Sequence, residues 1–151
     1  MSGRAPVLVL AVGNPSRGDD ALGPELAARL EAAALPDVEV IVEFQLQVEN
    51  ALDLVGRERV MFVDAGTGTP PPYELRRAVP AADFGHTSHA LSPEAVLATY
   101  ERVTGQAAPE AWVFCVRGAR FELGEPLSVA AAAHLEAAWT ELRRRVERSG
   151  S

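Results

Sequence analysis

Three apolar runs constrain this chain more than any other feature. Pro6 to Val12, Val60 to Val63 and Ala111 to Val116 contain no polar side chain except the thiol of Cys115. Runs this short, continuous and not alternating, predict strands buried on both faces of a sheet. None approaches the ~20 residues needed to span a bilayer, so no membrane insertion is expected. No basic segment followed by a cleavable apolar stretch opens the chain, and a cytoplasmic location is the expectation. The length, 151 residues, suits a single domain over 1–151. Fourteen basic residues, all Arg, against twenty-one acidic ones give a net charge of −7. That balance argues against nucleic acid as a partner, because phosphates reward clustered positive charge. One cysteine excludes an internal disulfide and a Cys-rich zinc site.

Between the apolar runs the periodicity turns helical. Leu22, Leu26, Leu30 and Ala33 recur at helix spacing, and Pro36 with Asp37 ends that helix. Val38, Val40, Val42 and Phe44 alternate with Glu39, Ile41 and Glu43 as a second strand. Glu49 to Val55 reads as a short helix stopped by Gly56. Tyr73 to Val79 alternates like an edge strand of undecided direction. Ser92-Pro93 starts a helix with apolar face Val96, Leu97, Tyr100 and Val103. Ser128 caps a last helix striped by Leu135, Ala138, Leu142 and Val146. Strand–helix–strand order implies right-handed crossovers. The expected fold is α/β: a three-layer sandwich, a mostly parallel twisted sheet of about five strands with helices on both faces.

In such sheets ligands bind beyond the carboxyl ends of the strands. The first strand runs into Gly13-Asn14-Pro15-Ser16-Arg17-Gly18-Asp19-Asp20, the third ends at Asp64, and His86 to His89 precede the helix at Ser92. Taken singly, each residue has an ordinary explanation: an Asp at a helix start, an Asp bonded to its own turn, a surface His. Taken together, carboxylates and an imidazole from three segments reach one edge. Oxygen and nitrogen donors suit Zn²⁺, Ni²⁺ or a similar ion, and a cation relieves the conflict between paired carboxylates. His86 and His134 carry no comparable argument. No Gly-x-Ser-x-Gly elbow is present, and Cys115 reads as a buried small hydrophobe.

The segment Gly13-Asn14-Pro15-Ser16-Arg17-Gly18-Asp19-Asp20-Ala21-Leu22-Gly23 resembles the N-terminal signature of the hydrogenase maturation endopeptidases. The resemblance continues through Val63-Asp64-Ala65 and Thr87-Ser88-His89-Ala90-Leu91-Ser92, and closes with Phe121 to Ser128. It departs at Ala21, where that family commonly has Gly. It implies a peptidase that removes a C-terminal extension from the large-subunit precursor of a nickel–iron hydrogenase after nickel insertion. The family's metal-contacting positions fall on Asp20, Asp64 and His89. Nickel, supplied by the precursor, is the implied metal, with no organic cofactor. Either Asp20 or Asp64 is the catalytic base, and Asn14 and Asp19 are expected at the substrate. Glu43 to Gln47, with Gln45 and Gln47, matches no general family motif and is expected to help select the particular hydrogenase.

Two other readings compete. A non-catalytic metal-binding chaperone for a hydrogenase precursor would carry the same ligands. A phosphate- or nucleotide-binding α/β domain would use the Gly-rich first loop as a cradle. That loop lacks the usual phosphate-loop spacings, and Arg17 and Arg120 are the main cations on offer.

Overall fold

The computed structural model describes residues 4–82 and 90–147. His86 and His89 lie outside the described residues. The strands are β1 (Val7–Val12), β2 (Val38–Glu43), β3 (Arg59–Gly66), β4 (Tyr73–Ala78) and β5 (Glu110–Arg117). The helices are α1 (Leu22–Ala33), α2 (Pro93–Thr104) and α3 (Val129–Glu147), with short 3-10 helices at Gly18–Ala21 and Val48–Leu54. The strands form one sheet in the order β2-β1-β3-β5-β4. The expected α/β fold is therefore borne out.

The apolar runs become the centre of this sheet because each strand there must serve two cores. In β1, Val7, Val9 and Ala11 join the cluster packed by α1 and α3. Leu8 and Leu10 of the same strand join the opposite cluster, with Leu54, Val96 and Leu97. Phe62 and Phe114 are both essentially inaccessible, on opposite faces of the sheet. At roughly 1.5–3 kcal/mol per fully buried large apolar side chain, these two layers dominate the stabilising terms.

β1, β2, β3 and β5 run parallel, and β4 pairs antiparallel with β5. Chain length decides the direction of β4. Only residues 67–72 separate it from β3, too few for a crossover, which needs a dozen or more. β4 is an edge strand as expected, while Val79 lies past its end and is exposed.

Local expectations hold in part. Ser92 Oγ accepts the Ala95 N–H and caps α2, with Pro93 at the first helical position. Ser128 Oγ likewise accepts the Ala131 N–H at the start of α3. The expected helix over Glu49 to Val55 is instead the 3-10 helix Val48–Leu54, opened by a reciprocal capping box between Gln47 and Asn50. Val103, expected on the apolar face of α2, points outward and is exposed. Val42 and Phe44 are also exposed, while Val38 and Val40 of the same alternating set pack against the core.

Candidate functional site

The site begins where β1 ends. Gly13 sits at φ 153°, and a Cβ there would come within 2.0 Å of the Asp20 carbonyl oxygen. That close approach folds the loop back on itself. The Asn14 side-chain oxygen accepts the Ser16 N–H, and the Asn14 carbonyl accepts the Arg17 N–H. The chain then enters the 3-10 helix Gly18–Ala21, which presents Asp20 just before α1. The Asn14 N–H donates to Asp20 Oδ2 at 2.8 Å and fixes the carboxylate's direction.

Asp64 arrives from the neighbouring strand β3. Its Oδ1 accepts the following Ala65 N–H at 2.7 Å, a bond that ties the side chain to its own strand end. Asp64 and Glu74 are both register partners of Cys115. Paired residues share a face of the sheet, so the three side chains form a row across β3, β5 and β4.

These elements enclose a cavity of about 410 Å³ whose walls include Asp20, Asp64, Glu74, Cys115, Phe62 and Val113. Phe44, Gln45 and Leu46 close another side, with Phe44 71% exposed at the rim. Asp20 and Asp64 thus meet in one cavity, as their strand-end positions required. Burial pushes the Asp64 carboxyl up to about 7; the Ala65 N–H pulls it back, and the Asp20 charge adds to the rise. Two carboxylates held in a partly apolar wall are a site whose charge a divalent cation would balance. No group of three His, Cys, Asp or Glu fit to hold an ion is found among the described residues, which exclude His89.

Asp19 does something else. It is 0% exposed. Its Oδ2 accepts the N–H groups of Ala119 and Arg120 and the Ser128 hydroxyl, and its Oδ1 accepts the Ser128 N–H. Burial alone would raise this carboxyl, but the donors of Ser128, Ala119 and Arg120 outweigh it and hold it below its ordinary value. All four donors come from within the chain, and the fully buried carboxylate presents no surface to a substrate. The expectation that Asp19 contacts substrate is corrected accordingly. Asn14, its companion in that expectation, stays beside the site through its bond to Asp20.

Cys115 is corrected in place but not in chemistry. It is half-buried in the cavity wall, with Sγ 3.0 Å from Thr69 Oγ1. Burial pushes its thiol up, and the Asp64 and Glu74 charges add to this against the pull of Thr69 and Arg76. A thiol held protonated beside carboxylates is a poor nucleophile. Replacing Cys115 with Ala should leave the protein's activity within about twofold of the unmodified protein, with a modest packing loss. Abolished turnover in a Cys115→Ala protein that still melts cooperatively would assign the chemistry to sulfur.

The first loop is not a phosphate cradle. Every N–H from Gly13 to Asp20 already has a partner within the chain: Glu43 O for Gly13, Asn14 or Asp20 oxygens for Asn14, Ser16 and Arg17, and Glu125, Arg120 and Arg17 carbonyls for Gly18, Asp19 and Asp20. A phosphate-binding loop needs such donors free. Arg120, one of the two cations that reading relied on, pairs with Glu125.

An α/β sheet with an acidic, apolar-walled cavity at its carboxyl edge is the class that fold and site define. No family model and no curated protein matches the chain. Solved structures do. The hydrogenase maturating endopeptidase HybD from Escherichia coli aligns at 25% identity with a TM-score of 0.72, over 95% of this chain and 93% of that one. The NiFe hydrogenase maturation protease HycI from Thermococcus kodakarensis aligns at 24% identity and TM-score 0.71, over 98% and 96%. The hydrogenase 2 maturation peptidase from a Thaumarchaeota archaeon aligns at 22% and 0.65, over 93% and 97%. The resemblance read in the sequence is borne out: over nearly its whole length the chain has the architecture of the hydrogenase maturation endopeptidases.

Proposed function

We propose that this protein is an endopeptidase that removes the C-terminal extension of a nickel–iron hydrogenase large-subunit precursor after nickel has been inserted. The observation that carries the reading is the meeting of Asp20 and Asp64 in one cavity on the fold of solved hydrogenase maturation proteases. Nickel belongs to the precursor and is part of the substrate. Asp20, Asp64 and His89 are its ligands from this chain, and they make cleavage conditional on a loaded precursor. The ion supplies positive charge at the scissile region. This chain's residues hold the precursor tail in the cavity and take up a proton from the attacking water. Asp20 or Asp64, whose carboxylates share the cavity, is the base for that last task. No helix among the described residues is long and apolar enough to cross a membrane. A cytoplasmic site of action, where the precursor is assembled, completes the reading.

The test is intact-mass analysis of a large-subunit precursor, with and without nickel, incubated with the purified protein. The loaded precursor should lose its extension and the unloaded one should not. Asp20→Asn removes a charge but keeps the shape, and His89→Ala removes a nitrogen donor. Either change should abolish the mass shift while leaving the thermal melt cooperative. Equal cleavage of both precursor forms would refute nickel dependence. Tight binding of a loaded precursor with no mass change would establish the chaperone reading instead.

A further inference from the structure

We infer that Asp19 is a positioning residue whose buried carboxylate sets the aim of Asp20, an inference that rests on the function proposed above. Asp19 and Asp20 are consecutive, yet their side chains serve different parts of the molecule. Asp20 opens into the cavity. Asp19 turns inward to donors that lie 100, 101 and 109 residues further along the chain.

Those donors belong to the loop between β5 and α3, which the carboxylate draws against the loop after β1. The backbones interlock over the same stretch. The Asp19 N–H donates to the Arg120 carbonyl at 2.7 Å, Gly18 N–H to Glu125, and Gly124 N–H to Ser16. The contact is close enough to require glycine on both sides. A Cβ on Gly18 would lie 2.4 Å from the Arg120 oxygen, and one on Gly118 would lie 3.0 Å from Asp19 Cβ. Ser128 extends the chain of contacts, because its Oγ donates to Asp19 while accepting the Ala131 N–H that caps α3. The geometry of the 3-10 helix bearing Asp20 is therefore referenced to the segment between β5 and α3 as well as to its own loop. On the other side, Gly13 and the Asn14 N–H hold Asp20 directly. The Asp20 carboxylate is thus held from both sides, and loss of the Asp19 anchor frees one of them.

Asparagine at position 19 keeps the shape but turns one oxygen into an NH₂ group facing N–H donors. In steady-state cleavage of a nickel-loaded precursor, Asp19→Asn should lower kcat by about 100-fold with KM within a few fold, the signature of a misaligned reacting group. The assay is run at a temperature where circular dichroism shows the variant folded. A purely structural Asp19 would reduce the folded fraction and leave the turnover of that fraction at the wild-type value. Ser128→Ala removes only one of the four donors and serves if Asp19→Asn does not fold. It should lower kcat by roughly tenfold at unchanged KM, and a wild-type kcat in Ser128→Ala would overturn the inference, as would one in folded Asp19→Asn. If the unmodified protein cuts no loaded precursor, it is the proposed function that fails. Cutting by the unmodified protein with equal kcat in the variants leaves that function standing and removes the role given to Asp19.

Discussion

Replacing Asp64 with Asn should make the protein more stable and leave it unable to cleave. The carboxyl is shifted from its ordinary value near 3.8 to about 7, chiefly by burial. At pH below about 3.8 it is protonated in folded and unfolded chains alike and costs nothing. Between pH 4 and 7 the unfolded chain sheds the proton while the folded one retains it, so folding loses about 1.4 kcal/mol for each pH unit. Above pH 7 the penalty levels off at about 4 kcal/mol as an upper figure. Asn carries no such charge, and its Oδ1 can still accept the Ala65 N–H that Asp64 accepts. Denaturant unfolding of both proteins at pH 5 and pH 8 measures this directly. The advantage of Asp64→Asn should be larger at pH 8 by about 2–3 kcal/mol. An advantage independent of pH, or a loss of stability, would mean the carboxylate is solvated in the folded protein. Cleavage of the loaded precursor should disappear in the same variant, and full activity would take Asp64 out of the mechanism.

Such an exchange of stability for chemistry is common at functional sites, where a charge is kept in surroundings that do not favour it. It also explains why this part of the site was readable in the sequence. Asp64 follows a run of four apolar residues in which nothing else is charged, and a strand end in a parallel sheet faces the ligand side. Asp20 follows the end of β1 by the same rule. The central strands were legible because burial on two faces leaves no alternation to misread.

Other parts were hidden for physical reasons. Asp19 and Asp20 look equivalent in the sequence, and only partners more than a hundred residues away separate them. Arg57 is nearly inaccessible, and no local pattern announces it. Its guanidinium donates to the carbonyls of Asp53 and Ala5 and pairs with Glu39 at 2.6 Å. The sequence places Gln45 and Gln47 together in a stretch expected to select the hydrogenase. In the structure Gln45 lines the cavity while Gln47 caps the 3-10 helix, so only the first is placed to meet a substrate. The direction of β4 depended on a connection length whose meaning appears only once β5 is seen to insert between β3 and β4.

The second large effect is expected at Gly13. A Cβ there would stand 2.0 Å from the Asp20 carbonyl oxygen and 3.0 Å from the Pro24 ring, at a φ of 153°. The contact is with backbone, so no side-chain rotation can relieve it. Gly13→Ala must therefore push the 3-10 helix bearing Asp20 away from β1, or distort the end of β1 itself. Strain of this kind costs on the order of 3 kcal/mol. The displacement also breaks the alignment of Asp20 with Asp64, and a shift near 1 Å is enough to reduce turnover about 100-fold. Gly68 provides the control, because a Cβ there meets nothing within 4 Å. Gly68→Ala should be neutral or slightly stabilising through the unfolded chain. Chemical denaturation and loaded-precursor cleavage of the two variants, measured side by side, separate the steric cause from any general intolerance of alanine for glycine in these loops. Normal stability and turnover in Gly13→Ala would show that the loop after β1 has room to move, and that Asp20 is not held from this side.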